Sequence, residues 1–171
     1  MTSSLPPASR PESRLGPLPI GADHPMVLVA GPCVIESREH TLSLAAAIRD
    51  IAAGAKVPFI FKASFDKANR SSLASYRGPG MAEGLDILAC VKREVGVPVL
   101  SDIHLPDQAE PAGRVLDVLQ IPAFLARQTD LLIAAAATGR CVNVKKAQFM
   151  APWDMENVRD KLRAAGARDI V

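Results

Sequence analysis

Residues that build disulfide frameworks, nucleic-acid surfaces or membrane spans are scarce in this chain. The cysteines are only three, Cys33, Cys90 and Cys141, odd in number and unclustered. That excludes a disulfide scaffold and points to a reducing, cytoplasmic compartment. Aromatic residues make up 4% and the formal net charge is +2. The cations are local to loops and few aromatics accompany them, so no nucleic-acid partner is expected. Long apolar runs are missing as well. The longest, Leu131 to Ala137, falls far short of the ~18 residues a membrane span requires, and no membrane partner is expected. Residues 1–23 lack the apolar core of a signal peptide. With Pro6, Pro7, Pro11, Pro17 and Pro19 they read as a mobile Pro-rich tail.

What remains is a globular composition, 49% hydrophobic and 22% charged over 171 residues, enough for one domain over 24–171 with a sizeable core. Two kinds of segment alternate. Strand-like runs cover Met26 to Ala30, Val57 to Ser64, Val97 to Ile103, Val115 to Ile121 and Cys141 to Ala147. Helical periodicity covers Ser37 (the expected N-cap) to Gly54, Met81 to Val95, a short stretch from Pro106, Asp130 to Thr138 and Trp153 to Ala165, with Gly96, Gly139 and Gly166 as stops. Asp169 to Val171 reads as the opening of another strand. Regular β/α alternation means parallel strands with helical crossovers, in an open doubly wound sheet or a (β/α)8 barrel. The first strand lacks a Gly-x-Gly-x-x-Gly turn, which weakens the dinucleotide-binding version of the open sheet.

Polar residues favour the barrel, because they collect at the C-terminal ends of the strands, which converge on one mouth in a barrel. Cys33 and Glu36, Lys62 to Arg70, Asp102 and His104, Gln120, and Lys145 with Gln148 all fall there. Period-two alternation puts Lys62 and Ser64 on one face, Asp102 with His104, and Asn143 with Lys145. Inward charges are expensive unless they hold a ligand or each other, and a Lys62–Asp102 ion pair is the alternative to a ligand site. The run from Lys62 to Ser72 carries three cations, an Asn and several hydroxyls and follows a buried strand. It reads either as a solvated basic loop or as a grip on a phosphorylated or carboxylated anion.

Four segments carry a closer resemblance: Lys62 to Ser72, Tyr76-Arg77-Gly78-Pro79-Gly80, Gln120 to Asp130, and Asn143-Val144-Lys145-Lys146. From about Met26 onward the chain resembles the 3-deoxy-D-manno-octulosonate 8-phosphate synthases, transferases of lipopolysaccharide biosynthesis. Related synthases that use phosphoenolpyruvate share the barrel but not the Lys62 to Ser72 segment in this form. The resemblance implies condensation of phosphoenolpyruvate with arabinose 5-phosphate and water, without a lysine Schiff base, in a homo-oligomer (a tetramer in the family). It implies that Lys62, Lys67 and Lys145 bind phosphoenolpyruvate and that Asp102 and Gln148 line the site. Asn69, Arg70 and Ser71 would grip arabinose 5-phosphate, with Arg70 and Ser71 reaching a neighbouring subunit. Arg127 reads as a structural ion pair and His104 as a hydrogen-bonded wall.

Cys33, in Gly31-Pro32-Cys33-Val34-Ile35-Glu36-Ser37, resembles the metal-dependent class of that family. It implies a divalent transition metal such as zinc, iron or manganese. The other ligands implied, a His, a Glu and an Asp, come from later strands and are absent from this chain. A barrel of this type spans ~250 residues, so about the first five and a half β/α units are expected here. Open sheet edges on such a piece predict poor solubility and no activity for the chain alone. The alternatives are an inactive truncated or degenerate copy that binds only phosphate or a full-length subunit, and another phosphoenolpyruvate-condensing synthase.

Overall fold

A computed structural model describes residues 13–21 and 23–171. Its centre is a parallel sheet of β3 (Leu28–Ala30), β4 (Phe59–Lys62), β5 (Val99–Asp102), β6 (Val118–Ile121) and β7 (Cys141–Val144), in that spatial order. Helices α1 (Arg38–Gly54), α2 (Met81–Cys90), α3 (Ala109–Val115), α4 (Thr129–Ala137) and α5 (Met155–Ala164) alternate with the strands. Sequential order with a helix after each strand is the winding of a β/α barrel, and the sheet is a partial barrel of that type. Beyond β7, Ile170 bridges Val142 in parallel, the strand opening read at Asp169 to Val171.

The elements form where local chemistry dictates. Ser37 caps α1, its hydroxyl accepting from the His40 N–H at 3.1 Å. α2 runs on as a wider turn over Val91–Val95, closed by Gly96 in the left-handed region at φ 75°. β4 and β5 each begin two residues later than expected. Pro58 and Pro98 lack the N–H a ladder needs, and their carbonyls instead accept from Leu28 and Phe61.

Strand alternation sorts the core into two faces. Phe61, Val99, Leu119, Ile121 and Val142 pack outward against the helices. Ile60, Leu100, Val118 and Cys141 pack inward around Leu15. Leu15 belongs to an antiparallel hairpin, β1 (Ser13–Leu15) and β2 (Leu18–Ile20). This corrects the expected tail over its second half: with Leu15, Leu18 and Ile20 apolar, the hairpin plugs the N-terminal end of the sheet's inner face. Residues 1–12 and 22 lie outside the described residues.

Backbone is packed most closely around the end of β4. A Cβ on Gly31 (φ +155°) would sit 2.0 Å from the Lys62 carbonyl oxygen, and one on Gly84 would sit 2.3 Å from the Phe65 Cβ. These glycines let β3 and α2 approach the segment that carries Lys62. We expect Gly84→Ala to cost about 1–3 kcal/mol by overpacking, read in denaturant unfolding; an unchanged midpoint would mean that α2 can back away freely.

Candidate active site

The sheet register lines up polar side chains across four strands. Lys62 is level with Leu100, so Ser64 is level with Asp102; Asp102 is level with Gln120, and Gln120 with Asn143. All five polar side chains share the inner face, and they are linked. The Lys62 ammonium donates to Ser64 Oγ at 2.7 Å, and the Ser64 hydroxyl donates to Asp102 Oδ2 at 2.6 Å. The Gln120 amide donates to Asp102 Oδ1, and the Asn143 amide donates to Gln120 Oε1 at 2.9 Å. Lys62 Nζ also lies 3.5 Å from Asp102 Oδ2, so the internal ion pair that is the alternative to a ligand site is present.

Burial acts on each member. Desolvation pushes the Lys62 ammonium below its usual value, against the pull of Asp102. For Asp102 burial works upward, but the Lys62 charge and the Gln120 and Ser64 hydrogen bonds outweigh it and hold the carboxyl below the ordinary range. His104 is pushed down by burial, with Asp102 and Asp66 opposing. Its Nδ1 is buried and has no hydrogen-bond partner among the described residues; its ring meets Phe65 edge-on at 6.4 Å. Burial lifts the Cys141 thiol to about 11, which keeps it an inert thiol donating to the Arg14 carbonyl at 3.3 Å.

The loop after β4 is clamped rather than free. Phe65 is fully buried. Arg77 grips Asp66 through two hydrogen bonds of 2.8 and 2.6 Å, and the Lys67 N–H reaches the Arg77 carbonyl at 2.6 Å. The Tyr76 hydroxyl donates to the Ile35 carbonyl at 3.1 Å. On the opposite wall, the Lys145 N–H donates to Ile121, and Lys146 Nζ donates to the Ala147 and Met150 carbonyls at 2.9 and 2.8 Å.

Between these walls lies a cavity of about 260 Å³. It brings together Lys62, Lys67, Asn69, Asp102, Lys145 and Gln148 of the expected site residues. Arg70 and Ser71 are exposed outside its lining, Arg70 Nε donating to the Tyr76 carbonyl at 3.0 Å. Cys33 is exposed, and its carbonyl accepts from Lys62 Nζ at 3.5 Å. Asp66, Lys146 and Phe124 also line the cavity; the sequence signal for each was its place inside the long motifs. Arg127 is exposed and forms no ion pair among the described residues; its carbonyl accepts from Lys161 at 3.4 Å.

Asp66 is matched by Arg77 and Asp102 by Lys62. Lys67 and Lys145 face the cavity with no ion-pair partner among the described residues, so the cleft carries unmatched positive charge. No three His, Cys, Asp or Glu side chains come together among the described residues as a metal-binding group. One thiol makes no metal centre, so the residues present do not by themselves fit one.

Fold and cleft together define a β/α-barrel protein with a cationic mouth. Residues 9–171 match the DAHP synthetase I family, and the chain belongs to that family. It is 58% identical over 160 residues to a protein of Geotalea daltonii and 59% identical over 160 residues to one of Geobacter sp. strain M21, both named "2-dehydro-3-deoxyphosphooctonate aldolase". A protein of Pelobacter propionicus with the same name is 59% identical over 157 residues. These alignments cover 92–94% of this chain and 58–59% of the relatives, so the chain spans about three-fifths of their length.

Both His104 and Asp102 titrate below their ordinary values. In each case the unfolded chain binds protons more readily, so stability rises with pH. We expect stability to fall as pH drops below 6.5 through the His104 step, and again below 3.8 as Asp102 is protonated. Unfolding midpoints measured from pH 7 to pH 3 check this; a His104→Gln chain should lose the first step alone.

Proposed function

We propose that the cleft binds phosphoenolpyruvate and arabinose 5-phosphate and serves their condensation, with water, to 3-deoxy-D-manno-octulosonate 8-phosphate and inorganic phosphate. The observation that carries this is the pair of unmatched ammonium groups, Lys67 and Lys145, facing one cavity with Lys62. Relatives at 58–59% identity are named for 2-dehydro-3-deoxyphosphooctonate, and the resemblance of the long motifs implies the two substrates.

In this reading the enol carbon of phosphoenolpyruvate forms the new bond to the aldehyde carbon, whose oxygen takes up a proton. Water adds at C2, and the C2–O bond breaks to release phosphate. Lys67 and Lys145 neutralise the carboxylate and phosphate and orient them. Lys62, held by Ser64 and Asp102, has its charge fixed beside the reacting carbons. Asn69 and Gln148 supply polar contacts, and Arg70 and Ser71 grip arabinose 5-phosphate from the rim, beside a neighbouring subunit of a homo-oligomer. Cys33 would offer one thiolate ligand to a zinc, iron or manganese ion. The reading includes a cytoplasmic location, supported by three unclustered free cysteines. No helix among the described residues is long and apolar enough to cross a membrane.

The test is phosphate release from phosphoenolpyruvate and arabinose 5-phosphate, with and without added divalent metal. Release by the 171-residue chain supports the proposal. No release from folded chain under either condition contradicts it. Lys145→Ala should lower kcat/KM roughly 10- to 100-fold, the equivalent of about 1.5–3 kcal/mol for one charge-assisted hydrogen bond.

A further inference from the structure

Amide side chains are nearly symmetric in shape, and their partners decide which end is nitrogen and which is oxygen. Across the mouth of this sheet these decisions form a chain that starts at one carboxylate. Ionised Asp102 can only accept hydrogen bonds. Gln120 must therefore turn its NH₂ toward Asp102 Oδ1, which leaves its oxygen facing β7. Asn143 must answer that oxygen with its own NH₂, and does so at 2.9 Å. Ser64 on the opposite side likewise spends its proton on Asp102 Oδ2 at 2.6 Å, freeing its lone pairs for Lys62 at 2.7 Å.

We infer that Asn143 is a positioning residue: by donating to Gln120 it fixes the direction of that amide and so holds the Asp102 carboxylate in place toward Ser64 and Lys62. Gln120 and Asp102 are 6% and 7% exposed, so water does little to rescue a misdirected amide. The charged or titratable groups around Asp102 are Lys62 from β4, His104 after β5, and Asp66, Lys67, Lys145 and Lys146 around the cavity. Neither Gln120 nor Asn143 is charged, and β6 and β7 act on the carboxylate through amide direction.

Asp is close to Asn in shape but cannot donate when ionised. Asn143→Asp would set a second acceptor against the Gln120 oxygen, so Gln120 could no longer give its NH₂ to Asp102 without facing a carboxylate with its own oxygen. Leu at 143 removes a partner without imposing the reversal. A packing role would tolerate Asp better than Leu; the relay predicts the opposite order.

The experiment is a carboxyl-carbon NMR titration of Asp102 in the full chain. Asn143→Asp should raise the Asp102 proton affinity at least tenfold, and Asn143→Leu should raise it less. Equal shifts, or the larger shift in the Leu variant, would overturn the inference. In a Gln120→Leu background Asn143→Asp should lose most of its effect; an undiminished shift would mean direct carboxylate repulsion and would also overturn it. Should Asn143→Asp not fold, the parent chain decides. The Asn143 and Gln120 side-chain amide signals must move together at the Asp102 midpoint, and a silent Asn143 refutes the coupling.

The consequence for ligand rests on the proposed function. Phosphoenolpyruvate affinity, read by calorimetry, should fall about tenfold in Asn143→Asp, since misplacing a charge-assisted contact costs that order. If the parent binds no phosphoenolpyruvate while the titration order holds, the substrate reading fails and the relay stands.

Discussion

A carboxylate buried at the end of a β-strand must be answered from every side, and the mouth of this sheet is arranged around that requirement. An isolated ionised Asp would be neutralised by its surroundings. Asp102 instead keeps its charge with one cation, one hydroxyl and one amide, drawn from β4, the residues just after it, and β6. Each partner then needs its own position fixed. Lys62 depends on a strand end that Gly31 lets β3 approach, and Gln120 depends on Asn143. The polar layer is thus a consequence of register: only parallel strands in step bring residues 64, 102, 120 and 143 level.

Neutralising Asp102 and Asp66 internally has a further effect. It leaves Lys67 and Lys145 as unmatched charge facing one small cavity, while Lys62 and Arg77 are held by their partners. Positive potential is therefore concentrated at this cavity, where Lys146 also lies, its ammonium tied to the Ala147 and Met150 carbonyls. The loop that carries Lys67 is restrained by buried Phe65 and the Asp66–Arg77 clamp, so that ammonium is presented by an ordered segment.

Much of this was legible in the sequence because it rests on periodicity. Alternation of Phe61 with Lys62 and Ser64, and the helix stops at Gly96, Gly139 and Gly166, fixed the winding and the inward face. The long motifs pointed to the loop after β4. Less legible was anything that depends on contacts distant in the chain. The Ser13–Ile20 hairpin hides among prolines, and only its burial of Leu15 against Ile60 and Val118 makes it structure. Strand starts shifted where Pro58 and Pro98 interrupt the ladder. The relay from Asn143 to Asp102 needs the register of three strands, which no single segment encodes. Arg127 shows the converse: a cation in a motif suggested an ion pair, and the fold leaves it exposed.

The central claim is that Asp102 and Lys62 hold each other in place. It is tested most directly by a double-mutant cycle in denaturant unfolding, using Lys62→Met, Asp102→Asn and the pair together. Each single change leaves one buried charge unmatched, whereas the double change leaves none. We expect a favourable coupling of about 1–3 kcal/mol. Additive single effects, within about 0.5 kcal/mol, would contradict the account.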